Sequence, residues 1–319
     1  MSLCQSIEER KKNVDYHFYE PTKGELEEIK KRMYMAIPES SAGRYTLSGL
    51  RPIEVVYDDF LSFGDRIVAV RKEKEIVGYI HFGPQKESEE VESRGHIFDI
   101  FIDRLHRRRG LGSLLLGEAL SRMNEQGMKT VTANTYRGGA GWWLLKRTGF
   151  IEKTVCMQIE CRSSRSLLSP TGLSIIRGTP KDLLMFSQGV QDTLEYLNRT
   201  ELSNRNYSMI FYRLNLVLES GATLLICVDG EKPVGFAIYT IFDDLMTYEL
   251  LGYLDFIFVD QEYRRRGIGR ELLGDSLERL NRNGVNEMFF ECSLNDYDYR
   301  WSLRAGMKEF SIQLEKKSG

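Results

Sequence analysis

Proline is scarce in this chain, at 7 of 319 residues, which excludes a Pro-rich linker protein. The 28 glycines have no third-residue period, so a collagen-like rod is excluded too. Cysteine is rare and odd in number: Cys4, Cys156, Cys161, Cys227 and Cys292, with no C-x-x-C. That pattern fits reduced, cytosolic usage and neither a disulfide framework nor a zinc site. The four histidines (His17, His81, His96 and His106) form no H-x-x-x-H pair, which argues against a dedicated catalytic metal. Neither charge dominates. With 44 Lys+Arg against 46 Asp+Glu the net charge is −2, unlike a surface built throughout for nucleic acid or anionic lipid. Long apolar runs are missing as well. The richest, Leu250 to Val259, is short and contains Asp255, so no segment is expected to span a bilayer. Met1 to Asn13 is polar, without the apolar centre of a signal peptide. These features predict a cytoplasmic globular protein of about two domains.

What is present is a repeat. Arg107-Arg108-Arg109-Gly110-Leu111-Gly112 recurs 157 residues later as Arg264-Arg265-Arg266-Gly267-Ile268-Gly269. The same offset maps Gly64 on Gly221, Val77-Gly78 on Val234-Gly235, Gly127 on Gly284, Gly149 on Gly306 and Thr22 on Thr179. Over residues 92 to 127, 17 of 36 positions match their partners. Chance would give roughly two or three, so the chain is a duplication of whole domains and not a solenoid. The Ser/Arg stretch Arg162 to Ser166 and the turn Ser169-Pro170-Thr171-Gly172 mark the boundary. The expected division is 1–162, a linker at 163–171, and 172–319.

The second copy shows how each half is built. Leu173 to Ile176 reads as a strand, and Thr179-Pro180 as an N-cap followed by Pro at the first helical position, opening a helical region to about Glu219. Ala222 to Val228 and Val234 to Ile241 form a hairpin about Asp229-Gly230. Tyr248 to Val259 is a nearly continuous apolar strand, hence central. Gly267 to Asn283 is a helix with Ile268, Leu272, Leu273, Leu277 and Leu280 on one stripe, stopped at Gly284. Val285 to Cys292 is a strand, Asp296 to Arg304 a short helix and Met307 to Leu314 a last strand. The first copy has the same order, giving an α/β sandwich with a mixed sheet in each half.

The arginine–glycine turn lies between the central strand and the amphipathic helix. The first turn of a helix has N–H groups without intrahelical partners and carries the positive end of the macrodipole. Glycines there remove side chains that would hold a phosphate off. The turn is therefore expected to take a pyrophosphate-bearing ligand. It is not a P-loop, since Gly269 is followed by Arg270 and Gly112 by Ser113-Leu114. It is not a dinucleotide fingerprint, since Leu272 and Leu115 stand where a third glycine belongs.

Arg-x-x-Gly-x-Gly between strand and helix resembles the acetyl-CoA loop of the GNAT superfamily of N-acyltransferases. Asn295 with Trp301-Ser302-Leu303-Arg304-Ala305-Gly306-Met307, and Trp143 to Phe150 in the first copy, resemble a later stretch of the same family. The resemblance covers nearly the whole chain, and the duplicated layout is similar to tandem GNAT proteins. It implies two tandem domains, each a mixed, mostly antiparallel sheet flanked by helices. It also implies direct attack of an amine, from a small molecule or a peptide, on the thioester of acetyl-CoA through a tetrahedral intermediate. By this likeness the cofactor would lie against Ile257, Phe258, Val259, Arg264, Arg265, Arg266, Gly267, Ile268, Gly269, Arg270 and Asn295. In the first copy it would lie against Ile100, Phe101, Ile102, Arg107, Arg108, Arg109, Gly110, Leu111, Gly112 and Ser113. A strand N–H near Phe258 would polarise the carbonyl.

The family's glutamate, fourteen residues before the first loop glycine, falls at Tyr253 and His96. His96 titrates near neutral pH. Asp255, on the strand face of Tyr253, is the candidate base of the second copy, with Glu249 and its equivalent Glu92 behind it. The family's acid tyrosine falls at Ser302 and Leu145, and Tyr299 is a substitute on the same helical face. Trp142, Trp143 and Trp301 are expected in the core. The second copy, with Asn295 where the first has Gly138, is expected to be the catalytic one. Two alternatives stand beside an acetyltransferase: a non-catalytic acyl-CoA-binding protein, and a nucleic-acid binder using the paired arginine triplets. The near-neutral charge speaks against the last.

Overall fold

The structure, a computed structural model, describes residues 16–41, 44–53, 65–85, 94–167, 172–190 and 207–317. Cys4, Gly64 and Glu92 lie outside them. The chain forms two units: Met1–Val155 with Phe310–Gly319, and Cys156–Glu309.

Unit 1 holds β1 (Tyr16–Tyr19), α1 (Lys23–Ser40), β2 (Arg66–Lys72), β3 (Glu75–Pro84), β4 (Arg94–Ile102), α2 (Leu111–Glu125), β5 (Thr130–Thr135) and α3 (Ala140–Arg147). β6 (Ile151–Glu160) follows and runs into unit 2. Unit 2 continues with α4 (Ser164–Leu167), β7 (Ser174–Arg177), α5 (Tyr207–Glu219), β8 (Thr223–Asp229), β9 (Lys232–Asp243), β10 (Leu250–Val259), α6 (Ile268–Arg282), β11 (Glu287–Ser293) and α7 (Tyr297–Arg304). The chain ends in β12 (Lys308–Lys317). In unit 1 the strand order is β1-β2-β3-β4-β5-β12, antiparallel except at β4–β5. In unit 2 it is β7-β8-β9-β10-β11-β6, with β10–β11 parallel and β7 to β10 antiparallel. Each sheet is mixed and mostly antiparallel.

The spatial units do not follow the linear repeat. β6 and β12 are equivalent strands, offset by the repeat period, yet each sits in the other copy's sheet. β12 pairs with β5, Ile312 opposite Thr135 through Lys317 opposite Thr130. The later part of β6 lies beside β11, where Gln158 bonds Glu287 and Cys161 N–H donates to Asn286 O. The expected linker also begins as packed structure. Ser164 and Leu167 are buried, in a short helix lying against α6; residues 168–171 lie outside the described set.

Local rules account for most elements. Thr22 and Glu25 form a reciprocal capping box at the start of α1. Thr179 and Asp182 form the same box, but it opens a 3₁₀ stretch, Pro180–Phe186, in place of the expected long helix. Regular helix α5 begins at Tyr207; residues 191–206 are not described. The stripe foreseen on α6, Ile268, Leu272, Leu273, Leu277 and Leu280, is buried throughout. Gly95 and Gly252, a repeat pair, let the helices sit close. A Cβ would stand 2.5 Å from Met123 Sδ at the first and 2.7 Å from Leu280 Cδ1 at the second. The other sheet face is covered in unit 2 by a cluster including Leu183, Phe186, Phe211, Leu214, Phe236 and Phe258. In unit 1 Ile29 and Met33 of α1 pack there on Ile67, Ala69 and Tyr79.

Candidate active site

Both central strands carry a β-bulge at the same place in the repeat. In β4 the register passes from His81 opposite Asp99 to Phe82 opposite Ile97, leaving Phe98 unpaired. In β10 it passes from Leu254 opposite Tyr239 to Phe256 opposite Ile238, leaving Asp255 unpaired. A bulge bends its strand and sets two successive residues on one face. Just before it the parallel neighbour is lost. β4 pairs with β5 only through Ile97, and β10 with β11 only at Gly252 and Tyr253. Beyond those points each central strand has an open flank leading to its arginine–glycine turn.

The turn has the same backbone form in both units. Arg108 and Arg265 take left-handed φ of 62° and 65°, and Gly110 and Gly267 take 82° and 91°. A left-handed arginine costs about 1–2 kcal/mol, and both copies adopt it. Alternation of this kind turns successive N–H groups inward to form a concave anion nest. Gly110 and Gly267 are the N-caps of α2 and α6 and supply no side-chain cap bond. The glycines also have local backbone and packing reasons of their own. A Cβ on Gly110 or Gly267 meets nothing within 4 Å, so there it is the positive φ that demands glycine. A Cβ on Gly112 or Gly269 would stand 3.3 Å from Leu144 Cδ2 or 3.4 Å from Trp301 Nε1, so there it is packing.

The arginines divide their work. The first of each triplet fastens the turn to its strand: Arg107 Nε donates to Ile102 O at 2.8 Å and Arg264 Nε to Val259 O at 2.9 Å. Glu39 pairs with Arg104 and Arg107. Arg109 donates to the Tyr16 hydroxyl, and Arg266 lies over the Tyr263 ring. All six triplet guanidiniums are exposed enough to border a phosphate. Asp260 N–H donates to Val234 O on β9. By strand alternation Phe258 N–H faces β9 too, and Ile257 and Val259 turn theirs to the open flank. Of the strand amides near Phe258, those of Ile257 and Val259 therefore face the open flank. Asn295 is exposed in the turn before α7.

The polar residues differ between the units. In unit 1 His96 lies one residue before the end of the paired part of β4. Its Nδ1 is 2.8 Å from Thr132 Oγ1, whose hydroxyl lies 2.9 Å from Gln85 Oε1. His81 Nε2–H donates to Asp65 Oδ2 at 3.2 Å. Phe98, the bulged residue, stacks on His81 (ring centroids 4.6 Å apart) and meets the His96 ring at a steep angle (4.9 Å). Tyr79 OH donates to Asp99 Oδ2 at 2.6 Å. Burial lowers the His96 pKa to about 4. Burial, and then the neighbouring His96, lower that of His81 to about 3. Both rings are neutral at pH 7. Gly83 makes this possible: a Cβ there would stand 2.3 Å from Asp65 Oδ1.

In unit 2 Thr240 replaces Gly83, and its hydroxyl donates to Asp255 Oδ2 at 2.7 Å. Thr240 is the cross-strand partner of Tyr253, so Asp255 shares the Tyr253 face. Burial raises the Asp255 carboxyl, against the pull of Thr240. Burial, and then the Glu291 charge, raise the Tyr253 phenol far from any basic role at neutral pH. Glu249 is exposed ahead of β10. Ser302 is fully buried with its hydroxyl on Tyr299 O, and Tyr299 OH is held by Glu309. Of the tryptophans expected in the core, Trp143 is exposed, while Trp142 bonds Glu152 and Trp301 covers Gly269.

His81, Asp65, Gln85, Thr132 and Thr240 were not singled out from sequence. A signal for three of them existed. At the repeat offset His81, Gln85 and Thr132 face Ile238, Phe242 and Phe289, polar against apolar at positions that otherwise carry the same strand.

Among the described residues no helix is long and apolar enough to cross a membrane, and no group of three His, Cys, Asp or Glu is placed to hold a metal. The acetyltransferase (GNAT) family model matches twice, at residues 33–141 and 190–300. A tandem GNAT protein from the clavulanic acid biosynthesis pathway is 15% identical, with 95% of this chain and 99% of that one covered at a TM-score of 0.54. A GCN5-related N-acetyltransferase from Sphaerobacter thermophilus is 16% identical, with 95% and 96% covered at 0.58. At such identities these likenesses speak for the fold. None of the curated proteins matches the sequence. The paired family match, spanning both copies of the bulge, open flank and anion turn, makes this chain a member of the GNAT acetyltransferase family, with two such domains in tandem.

Proposed function

We propose that the protein is an acetyl-CoA-dependent N-acetyltransferase acting on a primary amine of a small molecule or peptide. The observation that carries this reading is the uncapped helix start behind a left-handed nest, placed at the end of a strand whose flank has opened, in both units. The amides of residues 107–113 and 264–270 would hold the pyrophosphate. Ile100 to Ile102 and Ile257 to Val259 would run beside the pantetheine arm, with the outward N–H groups of the strand directed at the thioester oxygen. One such donor contributes about 2.7–4 kcal/mol to lowering a barrier. Bound acetyl-CoA supplies the activated acetyl group.

The chain must supply a proton acceptor for the amine. In unit 1 the group placed for this is His96; burial keeps its ring unprotonated at pH 7 but lowers its proton affinity, correcting the near-neutral titration expected from sequence. In unit 2 the corresponding group is Asp255, bonded to Thr240. The buried Ser302 and the apolar Leu145 leave the thiolate to be protonated by solvent. That observation, which holds in both units, also favours a second reading of the protein, acyl-CoA binding without transfer. Its dispersed cysteines fit the cytoplasm.

The test is thiol release from acetyl-CoA across a panel of primary amines. Turnover is expected for the wild-type chain and not for a Gly110→Glu, Gly267→Glu double variant. Tight binding of acetyl-CoA with no turnover on any amine would overturn the enzymatic reading and leave the binding one.

A further inference from the structure

Thr132 stands opposite His96 in the parallel register of β4 and β5 and is buried. Its Oγ1 lies 2.8 Å from His96 Nδ1, 2.9 Å from Gln85 Oε1 and 3.3 Å from Gly95 O. A threonine hydroxyl has one hydrogen and two lone pairs. Gln85 Oε1 and Gly95 O are both acceptors, so the hydrogen points to their side. What Thr132 turns to the imidazole is therefore a lone pair, and a lone pair requires a hydrogen from the ring.

We propose that Thr132, backed by Gln85 and the Gly95 carbonyl, is a positioning residue that fixes His96 as the Nδ1–H tautomer and leaves Nε2 as its proton-accepting atom. The proposal deepens the acetyltransferase reading and rests on His96 acting as base in unit 1. In the step it serves, an N–H bond of the acceptor ammonium breaks and its electron pair stays on the amine nitrogen. The proton becomes Nε2–H of a His96 imidazolium, which later releases it to solvent.

Two observations sharpen the assignment. His96 is neutral at pH 7, so only one ring nitrogen carries a hydrogen, and the tautomer decides which nitrogen can act. A threonine, unlike a carboxylate, fixes the tautomer without adding a charge, so it does not oppose the burial that keeps the ring neutral. Phe98 lies against the ring and limits its turning. Among the described residues the charged or titratable groups on this face include Asp65, Asp99, Tyr79 and His81. At the equivalent positions unit 2 has Tyr253 and Phe289, so the device belongs to unit 1 alone.

The test uses the full chain labelled with 15N-histidine, His96 being assigned by loss of its signals in His96→Gln. At pH 7 the wild-type spectrum should show a protonated, pyrrole-type Nδ1 and an unprotonated Nε2 at His96. Thr132→Val should shift the ring toward the Nε2–H form and Thr132→Ser should retain the wild-type pattern. In amine acetylation Thr132→Val should lower kcat about tenfold or more, with the KM for acetyl-CoA within about twofold, and Thr132→Ser should recover most of the loss. An Nε2–H tautomer in the wild-type protein overturns the proposal, as does a Thr132→Val protein with unchanged tautomer and kcat. The wild-type spectrum decides the tautomer even if Thr132→Val fails to fold. A wild-type chain that acetylates no amine overturns the functional reading instead, and does so independently of the nitrogen spectrum.

Discussion

Near the end of the paired part of the central strand, unit 1 presents His96 beside Thr132, and unit 2 presents Tyr253 beside Phe289. The difference extends over the whole face. The bulge carries Phe98 in one unit and Asp255 in the other. A hydrogen-bonded pair, Tyr79 and Asp99, stands where unit 2 stacks Phe236 on Phe256 with centroids 5.8 Å apart. Each exchange is compensated locally. Gly83 admits Asp65 next to His81, whereas Thr240 fills that space in unit 2 and gives its hydroxyl to Asp255. The anion turns, by contrast, agree in sequence, dihedral angles and stapling bond. After duplication the arginine–glycine turn was kept in the same form twice, while the polar residues on the central strand diverged.

The largest effect that probes this pairing concerns the exchanged strands. Removing residues 310–319 strips β12 from unit 1 and exposes the edge of β5, leaving unpaired backbone groups and an aggregation-prone edge. Unit 1 is expected to lose its fold or the protein its solubility, as read by limited proteolysis. A protease-resistant unit 1 in the truncated chain would show the exchange to be dispensable.

Next come the two nests taken singly. Gly110→Glu and Gly267→Glu each force a side chain into a left-handed φ and bring a negative charge to an anion site. Titration calorimetry should find acetyl-CoA stoichiometry reduced by one site in each variant. On the proposal that His96 of unit 1 is the working base, which reverses the expectation from sequence for the second copy, Gly110→Glu should cost about 100-fold or more in turnover and Gly267→Glu much less. Equal losses would erase the functional difference drawn between the units.

A smaller contrast is pH dependence. All four histidines belong to the first copy, and His81 and His96 are lowered to about 3 and about 4 by burial. Their folded pKa values lie below the unfolded value of about 6.5. Above that pH neither state binds the proton, and no penalty exists. As pH falls below about 6.5 the unfolded chain takes up protons that the folded unit refuses, so unit 1 loses stability. The loss runs at about 1.4 kcal/mol per pH unit per group and ends near pH 4 to 3, where the folded rings charge. Hydrogen exchange followed from pH 7 to 4 should show unit 1 opening before unit 2. Simultaneous opening would contradict the burial of the two rings.

The smallest contrast is Tyr79→Phe, which copies the unit 2 residue into unit 1. It removes the hydroxyl that Asp99 accepts from, at a cost of about 1–3 kcal/mol in denaturant unfolding. Adding Asp99→Phe should restore part of that loss, since the double variant rebuilds the apolar pair of unit 2.

The elements were legible in sequence wherever a local rule fixes them. Thr179 announced its cap, the α6 stripe its buried face, and the recurring Arg-x-x-Gly-x-Gly the turn between strand and helix. Where long-range contact decides, the reading ran short. β6 and β12 read as the last strand of their own copies, because strand propensity says nothing about which sheet a strand joins. Asp255 and Ser302 were chosen by spacing. Only burial and the bond to Tyr299 O show Ser302 to be committed elsewhere. Thr132 and Gln85 lie 36 and 11 residues from His96 in sequence, and no periodicity connects them to it.

From the order of its residues alone, the protein had its duplication, its two arginine–glycine turns and the alternation of strands and helices around them. These depend on glycine φ, helix ends and apolar period, all of which act over a few residues. The tertiary structure alone decided the exchange of the closing strands, the coincident bulges, and the gathering of His96, Thr132 and Gln85 from three separate segments. Strand pairing and the loss of hydration on burial belong to the assembled sheet, so neither is a property of any short stretch of chain.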